Sequence, residues 1–210
     1  MAIQRYIQKL ITEGEHQQLD FKFEISDAKK IARTFSAFAN TNGGKLLIGV
    51  KDNGNISGIQ TDEEVYMLEA AADLYCKPRV NYALTQHQIQ DKTILEVDIP
   101  ESNQKPHLAP WKSDKWMAFI RVDDQNFIAN KVIYEYWKIK GRQKDVIVRY
   151  DDFEMRIFSL LKTIGFASTN KITKECKIPP YLVIKILAQL ISINIIGYKI
   201  TEKETSYFLK

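Results

Sequence analysis

The chain has 210 residues, 45% hydrophobic and 27% charged, with a formal net charge of +4. That length suits one domain plus a small second one with a core that needs no staples, and the composition excludes collagen-like and disordered classes. The mild basic bias permits contact with nucleic acid without demanding it.

Residues 3–12 place Ile3, Tyr6, Ile7, Leu10 and Ile11 at helical spacing, so a short amphipathic helix is expected first. Residues 18–24 alternate: Leu19, Phe21 and Phe23 should face a core, and Asp20, Lys22 and Glu24 should face outward. Ser26 is the expected N-cap of a helix through AKKIARTFSAFAN, and Asn40-Thr41-Asn42-Gly43-Gly44 ends it. KLLIGV (45–50) reads as a buried strand, DNGN (52–55) as a hairpin-type turn and ISGI (56–59) as its return strand. Thr61 with Glu64 forms a capping box for a helix to about Tyr75.

Two strands over 79–88 and 92–100 follow, joined by a turn at Gln90-Asp91. A loop with Pro106 and Pro110 leads to a strand over 116–122 and a helix near 130–139. Beyond a connector the pattern becomes helix, turn, helix, turn, helix and terminal hairpin, the order of a winged helix-turn-helix unit. The expected organisation is an α/β (α+β) domain over 1–140 with a mixed sheet and flanking helices, a linker over 141–150 and a small winged helix over 151–210.

No segment approaches an apolar membrane span, and MAIQRYIQKLITEGEH lacks the apolar centre and cleavage site of a signal peptide. A cytoplasmic protein without a membrane partner is therefore expected. Cys76 and Cys176 lack C-x-x-C spacing, and His16, His87 and His107 lack i, i+4 pairing, so neither a disulfide framework nor a zinc site is indicated.

The stretch AFANTNGGKLLIGVKDNGNISGI (37–59) turns on Gly43, Gly44 and Gly49, where backbone N–H groups are able to form an anion nest. Val50 and Lys51 stand where a P-loop needs Lys and Ser or Thr, which argues against a cradle of that type. With E-x-x-x-x-D-F-K at 15–22, G-I at 58–59 and F-I-R-V at 119–122, this stretch resembles the Schlafen AlbA-type DNA-binding domain over residues 13–137. That family is also catalogued among divergent AAA-type ATP-binding proteins, and its bacterial members, often followed by winged helices, are described as transcriptional regulators.

The resemblance implies an acidic triad. Some animal members are metal-dependent endoribonucleases that cut structured RNA with three acids, which fall here on Glu15, Asp20 and Asp52. These would hold Mg²⁺ or Mn²⁺ while Lys22 neutralises developing charge. Asp20 replaces a glutamate, and Asp123 and Asp124 stand where many members have Gly and Ser. If the acids do not converge, Asp20 and Lys22 are the wet side of a strand.

In the third C-terminal helix Tyr181, Lys185, Gln189 and Ser192 recur on one face, suited to phosphates and base edges. Residues 151–210 carry nine Lys/Arg against six Asp/Glu, a surplus of three, with Lys171, Lys174 and Lys199 among them. No arginine lies on that helix, so a dimerising winged helix, giving a homo-oligomer, is the competing use. Lys51, Lys105, Lys112 and Arg121 complete the candidate nucleic-acid contacts, with His107 and Lys115 in the same basic loops. Trp111, Trp116 and Trp137 have the rings to stack on bases, but aromatics near strands read first as core anchors.

The function expected is nucleic-acid binding, DNA before RNA, as a transcriptional regulator. The alternative is a metal-dependent endoribonuclease; a weaker one is an ATP-binding regulator.

Overall fold

The computed structural model describes residues 2–59, 63–141 and 151–210. It is a mixed α/β chain of two compact units, 1–128 and 129–210.

In the first unit, strands β1 (Leu19–Lys22), β2 (Gly44–Ile48), β3 (Ala83–Ile89) and β4 (Lys92–Ile99) form a sheet in the order β1-β2-β4-β3. β1 runs parallel to β2, and the remaining pairs are antiparallel. Helices α2 (Ala28–Asn40) and α3 (Glu63–Asp73) cover one face, where Phe35, Phe38, Leu46, Ile48, Leu68, Leu95 and Val97 are buried together. Helix α1 (Ala2–Glu13) covers the other through Ile7, against Leu19, Phe21, Leu47 and Ile94. A second sheet of β5 (Leu108–Pro110), β6 (Trp116–Val122) and β7 (Gln125–Ile128) packs on α2.

Three local expectations change. Asp27, not Ser26, caps α2, because its carboxylate accepts the Lys29 N–H at 2.8 Å. The alternation of residues 18–24 holds only in part: Leu19 and Phe21 are buried and Glu24 is exposed as expected, but Asp20 is buried and Phe23 exposed. The first strand has protein on both faces, so alternation no longer separates inside from outside. The proposed return strand at 56–59 is reduced to a single bridge, Val50 to Ile56. Thr61, half of the expected capping box, lies outside the described residues.

In the second unit, α4 (Lys131–Gly141), α5 (Asp152–Ile164), α6 (Thr169–Cys176) and α7 (Pro180–Ser192) accompany a sheet of β8 (Ala167–Ser168), β9 (Ile196–Ile200) and β10 (Thr205–Leu209) in the order β8-β10-β9. Helix α4, which the sequence pattern attaches to the preceding domain, packs on α7 and buries Val132 in the C-terminal core. A capping box of Asp151 and Glu154 starts α5. The expected linker lies outside the described residues apart from Gly141.

Candidate nucleic-acid interface

The residues singled out in the N-terminal half divide into a buried charged knot and an exposed rim. Asp20 and Arg121 form the knot, only 3% and 2% exposed. Arg121 Nη2 donates to Asp20 Oδ1 at 3.1 Å and to the Leu19 carbonyl at 3.2 Å, while Nη1 donates to Asn126 Oδ1 at 3.3 Å. Its guanidinium lies 5.3 Å over the Phe38 ring. Arg121 therefore ties β1 to β6 and α2, and the expectation that it meets a phosphate is corrected by its burial.

Lys22 Nζ lies 2.9 Å from Asp20 Oδ2, close enough for an ion pair although the approach is not that of a hydrogen bond. It also lies 3.9 Å from Glu15. Glu15 Oε1 accepts the Phe21 N–H at 2.8 Å. Burial, together with the facing Asp20 carboxylate, pushes the Glu15 pKa above its ordinary value. Glu15 and Asp20 do meet, then, but Asp52 stands exposed in the turn between Lys51 and Gly54.

Among the described residues no group of three His, Cys, Asp or Glu side chains is arranged to hold a metal ion. A divalent ion at Asp20 would also have to compete with the cations of Arg121 and Lys22 already there. These residues do not fit the Mg²⁺ or Mn²⁺ centre that the acidic pattern implies.

The glycines meet their own chain. A Cβ on Gly43, whose φ is +69°, would lie 2.8 Å from both Glu101 N and Ile99 O; one on Gly49, at φ +92°, would lie 2.9 Å from the Gly58 carbonyl carbon. The Gly43 N–H donates to Phe38 O at 2.9 Å and the Gly49 N–H to Lys22 O at 2.8 Å. These two donors of the expected anion nest are thus engaged within the fold.

Asn40 ties the end of α2 to the chain around His107 and to β6. Its Nδ2 donates to the carbonyls of His107 at 2.8 Å and Phe119 at 2.9 Å, and its Oδ1 accepts the His107 N–H at 2.8 Å. Thr41 Oγ1 accepts the Arg121 N–H at 3.0 Å. Ser36 joins the network through the His107 carbonyl at 2.7 Å. Burial, with Lys105 nearby, lowers the His107 pKa despite its bond to the Pro78 carbonyl, so the ring does not add to a basic loop.

A model of the family described as Schlafen, AlbA_2 matches residues 15–130, 116 of the 210. The chain belongs to this family. No curated protein matches the chain. Among solved structures, the DIP2311 protein from Corynebacterium diphtheriae aligns at 18% identity and a TM-score of 0.47, over 70% of this chain and 29% of its own. The N-terminal domain of an ATP-dependent DNA helicase RecG-related protein from Nitrosomonas europaea aligns at 20% identity and a TM-score of 0.41, over 69% and 96%. The chain thus spans under a third of the first of these structures. No described helix is long and apolar enough to cross a membrane.

In this Schlafen AlbA_2 chain the exposed basic residues are distributed over several sites. Lys51 lies 5.1 Å over the Phe23 ring, whereas Lys105 is half-buried and bonds Glu101 at 2.6 Å. Lys112 is exposed beside Trp111. In the second unit, Lys171, Lys174, Lys185 and Lys199 are exposed and Gln189 half-buried. Tyr181, at 73% exposure, opens the stripe on α7, while Val183, Ile186, Leu187 and Leu190 are buried behind it. The sequence reading missed Arg33 and Lys77, because only tertiary contacts bring them beside tryptophans.

Proposed function

We propose that the protein is a DNA-binding transcriptional regulator whose C-terminal unit is a winged helix-turn-helix that docks on duplex DNA through α7. Family membership supports nucleic-acid binding in general. The observation that carries the finer reading is the stripe of Tyr181, Lys185 and Gln189 left at the surface of a helix otherwise packed into its unit. Their i, i+4, i+8 spacing aligns a phenol, an ammonium and an amide on one line, the groups that meet phosphates and base edges in a major groove. Lys171 and Lys174 on α6 and Lys199 on β9 flank it as backbone contacts.

The test is a gel-shift titration with genomic fragments over a range of salt. Each lysine that neutralises a phosphate contributes about 0.9 to the slope of log affinity against log salt. Lys174→Glu with Lys185→Glu is expected to flatten that slope by about 1.8. A parent affinity independent of salt would overturn the reading.

A further inference from the structure

We propose that the first unit carries a second nucleic-acid contact, a tryptophan and cation face that holds a single strand. The inference rests on the nucleic-acid reading above but uses a different unit and a different form of the ligand.

The face is assembled at one end of the second sheet. Pro110 on β5 pairs with Trp116 on β6, and the Trp111 N–H donates to the Lys115 carbonyl at 2.7 Å, so both indoles stand at the same hairpin tip. Arg33 reaches across from α2: its Nε donates to the Pro110 carbonyl at 2.8 Å and its guanidinium lies 4.7 Å over the Trp111 ring. Lys112 Nζ lies 5.6 Å from the centre of that ring. On the other side, Lys77 bridges to Leu108 of β5 and places its Nζ 4.0 Å over Trp116.

Three cations thus converge on two half-exposed indoles. Among the described residues none of Arg33, Lys77 and Lys112 has a carboxylate within ion-pair distance, unlike Lys22, Lys45 and Lys105. Asp73, four residues before Lys77 in the chain, is paired to Arg79. Cations without a carboxylate partner among the described residues call for an anion, and aromatic faces beside them call for a flat ring that is not already stacked. A single strand offers both at the spacing of one nucleotide, whereas a duplex keeps its base faces inside the stack. Stacking of a base on an indole outweighs an exposed cation–π contact, so an arriving base takes the Trp116 face and the displaced Lys77 ammonium turns to the adjoining phosphate.

The experiment titrates the full chain with a thymidine oligonucleotide and follows tryptophan fluorescence, with a labelled duplex measured in parallel. Trp137 is buried in the other unit, so a change on binding reports Trp111 and Trp116. Quenching is expected, with affinity falling as salt rises. Lys77→Glu with Lys112→Glu changes two exposed side chains and leaves the Arg33 strut in place. The double variant is expected to bind the oligonucleotide at least tenfold more weakly, with a salt slope reduced by about 1.4, and to lose much less of its duplex affinity.

Parent-like titration of the double variant would overturn this inference alone. Equal loss of duplex and single-strand binding would overturn the single-strand assignment. Failure of the parent to bind any nucleic acid would overturn the functional reading and this one with it.

Discussion

Asn40→Ala tests whether the family's signature stretch is a structural knot. Asn40 is 3% exposed and joins the end of α2 to the His107 backbone and to β6. Truncation removes the partner of the His107 N–H and the side-chain donor to the Phe119 carbonyl; Ser36 still serves the His107 carbonyl. A buried polar group left unpaired costs about 1–3 kcal/mol, so a loss of about 3 to 4 kcal/mol is expected. With a urea slope of roughly 2 kcal/mol per molar, the midpoint should fall by about 1.5 to 2 M. Tryptophan fluorescence is the suitable signal, because Trp111 and Trp116 belong to the first unit.

Asn40→Asp supplies the control. Its carboxylate still accepts from His107 but faces two carbonyl oxygens, so its folded-state pKa is expected to rise above the unfolded value. Stability is then retained below the unfolded pKa and lost as pH rises through the folded one. An Asn40→Ala midpoint within about 0.3 M of the parent, at unchanged slope, would refute the assignment.

Gly43→Ala is expected to destabilise by more than about 2 kcal/mol in the same assay, since a Cβ would press on the Ile99 and Glu101 backbone at positive φ; parent-like melting would contradict that close approach. Burial opposes ionisation of Glu96, but hydrogen bonds from Lys45, Tyr6 and His87 outweigh it and hold its pKa below the ordinary carboxylate value. That stability is present above the unfolded pKa and lost as pH falls through the lowered one, so Glu96→Gln should lose less stability on acidification than the parent; identical acid profiles would remove the cluster's assigned role. Glu15→Gln keeps an acceptor for the Phe21 N–H and removes a carboxylate facing Asp20, so the melting temperature at neutral pH should hold or rise, and a fall of several degrees would count against the buried-pair argument. Millimolar Mn²⁺ is expected to leave the melting temperature unchanged, and a rise abolished by Asp20→Asn would show that the acids hold metal after all.

The local pattern by itself determined most elements: the strand over 116–122 matches β6 residue for residue, and the turn at Gln90 joins β3 to β4. The motif around Asn40 and Gly43 was sufficient to indicate the family, and its residues meet demanding local conditions, an amide that bonds three backbone groups and a glycine against its own chain. What only the tertiary structure decided was which side of each residue is wet. Asp20 and Lys22 read as a solvent face in one strand, but Arg121, a hundred residues further on, supplies a buried counter-charge, and burial without one would be prohibitive. The same holds for Arg33, Lys77 and the two indoles, which are scattered in sequence and gathered by β5, β6 and α2. Periodicity reports a residue's own element, whereas charge pairing and ring contacts depend on the element that arrives from elsewhere.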